Sequence, residues 1–224
     1  MTVSLSWLLL TLTTAAPGPS GPVPAAPAAG PATSQPELDP VARAEQAAEL
    51  YGQRRYLEAA QILEDLWATV HEPRDLFNAG LARLALGHRA HALRYWELYL
   101  QQPGIPDDGR EQAQNRIKKA RGQATGVIVR VAPSAVAEVG TTLELVRVDE
   151  ERPPLVFELE PHAPEFSSGG RTIYLDPGKW QLRISAKTYV TATRELNIRP
   201  GAPGFVLDVV LATDPHFRYA TFQI

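Results

Sequence analysis

The sequence predicts an α+β multidomain chain in which a two-hairpin α-solenoid is followed by an antiparallel β-sandwich. Three observations carry that reading. Apolar residues recur at three- and four-residue steps from about Leu38 to Arg121, the period of helices with one buried stripe. After Gly126 the recurrence switches to alternation, the period of half-buried strands. Within the helical part, Ala47 and Gly80 lie 33 positions apart, and so do Ala59 and Ala92, and Leu63 and Trp96. That spacing falls in the range of stacked helical hairpins.

The chain opens with an apolar stretch, Leu5 to Leu12, followed by Thr13, Thr14, Ala15 and Ala16. It is too short to span a bilayer, which takes roughly 20 apolar residues, and it ends at Pro17. We therefore expect a signal peptide over residues 1–16, with Thr13 and Ala15 at the small-residue positions of a cleavage site. No Lys or Arg precedes the apolar core. Residues 17–39 are dominated by Pro, Ala and Gly and offer little apolar surface to offset folding entropy. They read as a disordered, semi-extended linker.

The helical part spans residues 40–122. Tyr56, Ala59, Ala60, Leu63, Leu66, Trp67 and Val70 make one buried stripe. The next helix starts after Pro73, a residue that suits a first helical turn, and carries Leu76, Phe77, Gly80, Leu81 and Leu84. Gly87 breaks the chain before a stripe of Ala92, Tyr95, Trp96, Tyr99 and Leu100. Pro103, Gly104 and Pro106 stop that helix, and Asp107 and Asp108 are expected to cap a last one running through Arg121.

The strand part spans residues 125–213. VIVRV, TLELVRV, LVFELE, TIYLD, WQLRISA, TATRELNI and FVLDVVL are rich in Val, Ile, Thr and aromatics. Turn residues separate them, among them Asp176-Pro177-Gly178 and Pro200-Gly201. Seven short strands of this kind indicate a sandwich. Residues 214–224 form a C-terminal tail, whose Phe217, Tyr219 and Phe222 are suited to packing back on the helices or to capture by a partner.

Composition narrows the function classes. The 224 residues carry a net charge of -3, and no run interleaves cations with aromatics, so nucleic acid is not an expected partner. The absence of cysteine removes disulfides, thiolate metal sites and cysteine nucleophiles. There is no nucleophile elbow, phosphate loop, dinucleotide fingerprint or HExxH motif. No enzyme activity, metal or cofactor is expected. His88 and His91 stand three apart on a helix, a spacing suited to a metal, but without a third ligand they read as a solvated pair at a turn. His162 reads as surface. Arg110, Arg116, Lys118, Lys119 and Arg121 read as an exposed helix face, with an anionic surface as the alternative.

The segment LFNAGLARLALGHRAHALRYWELYLQQP resembles the tetratricopeptide repeat family. Leu76 stands at its first large position, followed by Ala79-Gly80, Gly87 at the turn, Ala92, Trp96 and Pro103. A poorer copy runs through Ala47, Leu50, Tyr56, Ala59 and Leu63, and Arg83 takes a position that the family fills with an aromatic. The resemblance implies a concave groove that binds protein or peptide, lined by Tyr51, Arg74, Phe77, Asn78 and Leu81, with Ala44 and Ala48 where some members carry Lys and Asn. Only Asn78 fits a carboxylate clamp. Phe77 and Leu81 read equally as core residues.

Tyr174 to Leu211 resembles the second half of a PEGA-type, or carboxypeptidase-regulatory-like, module. The matching residues are Leu175-Asp176-Pro177-Gly178, then Trp180, Leu182 and Ile184, Tyr189, and the strand from Phe205 to Leu211. Such modules imply docking to an envelope surface without catalysis.

Together these readings describe an exported, non-enzymatic scaffold or adaptor of the periplasm or cell envelope, without a membrane span after signal cleavage. Its expected partners are a protein or peptide and an envelope or cell-wall component. The alternative is a carbohydrate- or peptidoglycan-binding envelope protein, which needs Trp180 or Tyr189 exposed for stacking; alternation instead puts Trp180 in phase with Leu182 and Ile184. An enzyme with an unfamiliar site is a third reading; it needs polar, titratable groups converging in one pocket, and a buried His/Glu/Asp cluster would sink the scaffold reading.

Overall fold

The computed structural model describes residues 39–167 and 169–216. The signal segment, all of the linker except Asp39, and Phe217, Tyr219 and Phe222 of the tail lie outside the described residues. A helical region precedes a strand region. The helices are α1 (Pro40–Gly52), α2 (Tyr56–Val70), α3 (Pro73–Ala85), α4 (Arg89–Gln101) and α5 (Asp107–Arg121). Pro40 and Pro73 occupy first helical positions, where a missing N–H costs nothing. Gly87, with φ 81°, takes the left-handed conformation that turns the chain from α3 into α4. Asp107 and Asp108 sit in the first turn of α5 and form no cap hydrogen bond; the flanking residue is Pro106. Their contribution is electrostatic. Acidic residues in the first turn and Lys118, Lys119 and Arg121 in the last both complement the helix dipole.

The small residues of the 33-residue spacing lie where helices meet. Ala59 and Ala92 are fully buried. A Cβ on Gly80 would collide with Nε1 of Trp96, so the glycine is what lets the indole lie on α3. Trp96 Nε1 then donates to the carbonyl of Phe77 at 3.2 Å. Arg83, which departs from the tetratricopeptide pattern, is also buried. Its guanidinium donates through Nε and Nη2 to both oxygens of Glu64 on α2, at 2.6 and 2.7 Å.

The strands are β1 (Thr125–Ala132), β2 (Thr141–Arg147), β3 (Leu155–Leu159), β4 (Arg171–Leu175), β5 (Gly178–Ser185), β6 (Ala192–Ile198) and β7 (Phe205–Val210). A 3-10 turn, Ser134–Glu138, and a one-turn helix, α6 (Pro164–Ser167), interrupt them. One sheet has the order β4-β1-β7 and the other β3-β2-β5-β6. Val127, Val129 and Ile173 from the first sheet share one apolar cluster with Leu143, Phe157, Trp180 and Leu182 from the second.

The expectation of wholly antiparallel pairing is corrected at one place: β1 and β7 run parallel. The cause is the loop after β6, which returns the chain to the start of β1. There Thr125 Oγ1 donates to the carbonyl of Ala202 at 3.2 Å. A Cβ on Gly204 would lie 2.9 Å from the carbonyl oxygen of Gly126. Starting beside the first residues of β1, β7 has to run in the same direction.

The helices and strands pack together. Ala90 of α4 belongs to the apolar cluster of the sheets, and the Arg94 guanidinium lies 4.7 Å from the ring centroid of Phe157 on β3. No described helix is long and apolar enough to cross a membrane.

Candidate functional site

Helical spacing puts Ala44, Ala47, Ala48 and Tyr51 on one face of α1, and Asn78 and Leu81 on one face of α3. These residues, with Leu63 of α2, line a groove of about 170 Å³. Because Ala44 and Ala48 stop at Cβ, the groove has depth, and none of its lining residues carries a charge. Tyr51 closes one side, its ring set edge-on to Tyr56 with centroids 5.1 Å apart.

Of the five residues expected to form a groove, Tyr51, Asn78 and Leu81 come together here. Phe77 does not line it: its ring packs 5.3 Å from that of Tyr99, with the Arg116 guanidinium 5.5 Å from its centroid. Arg74 is exposed in the first turn of α3 and does not line it either.

A second constellation forms where α4 meets the sheets. His88 and His91, expected to be solvated, are 6% and 1% exposed, and the expectation is corrected. The N-terminal turn of α4 inserts against the segment that joins β2 to β3 and against the turn that joins β4 to β5. Asp176 at that turn accepts from the backbone N–H of Arg89 at 3.0 Å and of Ala90 at 3.2 Å. The carboxylate thereby caps the helix from another element, favoured by hydrogen bonding and by the helix dipole. Arg152 donates to the same carboxylate at 3.4 Å and also pairs with Glu150. His88 Nε2 lies 2.9 Å from Glu150, and its Nδ1 lies 3.4 Å from Nη1 of Arg83.

That geometry suits a neutral His88 which donates from Nε2 and presents Nδ1 to a guanidinium N–H. Burial, and then the charge of Arg152, lower its pKa. His91 Nε2 is 2.8 Å from the carbonyl oxygen of Pro153, and its ring stacks on Trp180 with centroids 6.4 Å apart. Burial pushes its pKa down to about 3.

Here, then, is a buried His/Glu/Asp cluster. Its polar atoms are largely engaged with one another and with backbone, and neither the groove nor the larger cleft beside α5 is lined by His88, His91, Glu150 or Asp176. No set of three or more candidate metal ligands occurs among the described residues. What the cluster can do is hold α4 to the sheets. A signal for it was present in the sequence: His88 precedes Ala92 by four residues and His91 precedes Tyr95 by four, which extends the apolar stripe of α4 back over both rings. His162 is exposed.

The buried imidazoles make stability depend on pH. Their folded-state pKa values lie below the ordinary 6.5, so the folded chain binds fewer protons than the unfolded chain as pH falls through that value. Stability is fully present above about pH 6.5 and is lost as pH falls towards about 3, with a slope of up to about 1.4 kcal/mol per pH unit for each titrating group. Urea unfolding at pH 7, 5.5 and 4.5 tests this. His91→Gln, which keeps a donor for Pro153, is expected to flatten the dependence; an equal slope in the variant would assign it to other groups.

The chain matches no protein-family model and no curated protein sequence.

Proposed function

We propose that this chain is an exported, non-enzymatic scaffold or adaptor. Its helices act as a two-hairpin, tetratricopeptide-like α-solenoid that holds a protein or peptide. Its two sheets act as a PEGA-like β-sandwich that docks to an envelope component. The observation that carries the reading is the uncharged groove between α1 and α3, lined by Tyr51, Asn78 and Leu81 over a floor of alanines. An apolar cavity of about 150 Å³ accommodates benzene, so a groove of about 170 Å³ has room for one branched or aromatic side chain. Asn78 on its rim offers a donor and an acceptor to the peptide group beside such an anchor. The buried clasp of Asp176, Arg152, Glu150 and His88 is the kind of feature that weighs against a scaffold. It does not do so here, because it lines neither the groove nor the cleft beside α5 and its carboxylates are committed to α4 and to Arg152.

Peptides selected from a random displayed library on the full chain should share one Leu, Phe or Trp anchor. Leu81→Glu should weaken their binding by more than about tenfold, and Tyr51→Ala by about fivefold, as expected when a central apolar contact is lost. Selected peptides indifferent to both substitutions, or retention by peptidoglycan alone, would overturn this reading. Trp180 and Tyr189, the rings suited to stacking on sugars, pack with the sheet core.

A further inference from the structure

A larger cleft, of about 800 Å³, lies between α4, α5 and β4. One wall is a single stripe of α5, in which Gln114, Ile117, Lys118 and Arg121 follow at helical spacing; the other is Glu97, Leu100 and Gln101 of α4. Its volume falls within the range of about 300–1,000 Å³ typical of ligand sites.

The charges of the cleft do not cancel. Glu97 accepts from Arg121 at 2.9 Å and from Arg171 at 3.5 Å. Arg171 also donates to Glu165 at 2.7 Å. Two guanidinium groups and two carboxylates thus form one connected network. Lys118 adds a cation that has no ion-pair partner among the described residues. On the same stripe, Arg121 stands over the ring of Tyr174 on β4, 5.0 Å from its centroid, which holds its charge at the cleft rather than in open solvent.

We propose that this cleft binds an acidic peptide segment of a partner protein. A carboxylate of the peptide sits at Lys118 and Arg121. An apolar side chain packs on Leu100 and Ile117, and the amides of Gln101 and Gln114 pair with its backbone. The chemistry selects a peptide over a polyanion. Glu97 and Glu165 line the same cleft and would repel a continuous phosphate backbone, whereas a peptide with spaced carboxylates meets the cations and avoids the acids. The site shares no lining residue with the groove of α1 and α3 and does not depend on that groove being functional.

The test is fluorescence anisotropy on the full chain. The probes are labelled decapeptides that alternate Leu with Glu, with Gln or with Lys. The Glu peptide is expected to bind tightest, and added salt to weaken it. Lys118→Glu, an exposed change that breaks no ion pair among the described residues, should weaken binding about tenfold, while Lys187→Glu, an exposed charge reversal outside the cleft, leaves it unchanged. Equal binding of the Glu and Gln peptides, or indifference to Lys118→Glu, would overturn the proposal. Lys118-dependent binding of a single-stranded DNA decamer or of phosphatidylglycerol vesicles in preference to the Glu peptide would overturn it too, in favour of a polyanion or a membrane.

Discussion

Asp176→Ala should destabilise the chain by about 3–5 kcal/mol, the range found when one partner of a buried ion pair is removed. Two losses combine. The backbone N–H groups of Arg89 and Ala90 lose their acceptor, at about 1 kcal/mol for a lost cap. Arg152, whose side chain is 6% exposed, keeps Glu150 but loses the carboxylate that faced it from the sheet. Asp176→Asn separates the two contributions: one side-chain oxygen still caps α4, while the charge opposite Arg152 is gone, so an intermediate cost is expected. The measurement is urea unfolding followed by far-ultraviolet dichroism for the helices and by amide hydrogen exchange of β2 and β5 for the sheets, since tryptophan emission reports Trp96 of the helices together with Trp180. The two probes should report one transition in the parent chain and separate transitions in Asp176→Ala. A cost below about 1 kcal/mol with coincident probes would show that apolar packing through Ala90 and Arg94, and not the clasp, holds α4 to the sheets.

What was legible in the sequence was whatever a period writes. The five long helices and seven strands follow from apolar recurrence and from turn residues such as Gly87 and Pro73, because burial on one face and a break in backbone geometry are local demands. Trp180 was legible as core for the same reason: it alternates in phase with Leu182 and Ile184. The parallel pairing of β7 was not legible, since the pattern of a strand states which face is buried and not which neighbour it meets; contacts at Thr125, Ala202 and Gly204 set its direction.

The groove was half legible. The tetratricopeptide resemblance put Tyr51, Asn78 and Leu81 on one surface, but Phe77 packs against Tyr99 and Arg116, residues of the next helix of its own hairpin and of the closing helix. The clasp was the least legible part. Asp176 in an Asp-Pro-Gly turn is explained by the turn itself, and nothing local announces that its carboxylate caps a helix 86 residues earlier. Residue type alone makes His88 and His91 a solvated pair, whereas their phase on the stripe of α4 marks both as buried.

Phase also explains Arg83, the departure from the repeat pattern. At that position a tetratricopeptide unit is expected to bury an aromatic ring, and this chain buries a guanidinium there with 1% of its side chain exposed. Desolvating that charge is tolerable because Glu64, itself 18% exposed, receives two hydrogen bonds from it in the two-point geometry that suits arginine and carboxylate. Arg83→Ala should therefore cost about 3–5 kcal/mol: it strands Glu64 beside apolar packing and leaves a cavity between α2 and α3. Lysine is no substitute, because a single ammonium cannot make both bonds to Glu64 and also reach Nδ1 of His88. Replacing both partners, as Glu64→Leu with Arg83→Met, removes the charges along with the pair, and a buried ion pair exchanged for apolar residues of similar volume is often neutral or stabilising. The double variant should accordingly recover most of the stability lost in Arg83→Ala, as read from the midpoint of urea unfolding. Failure to recover would locate the deficit at the groups the pair also engages, the Tyr95 hydroxyl and His88 Nδ1, and recovery on a further Tyr95→Phe change would assign it to the hydroxyl rather than to the clasp.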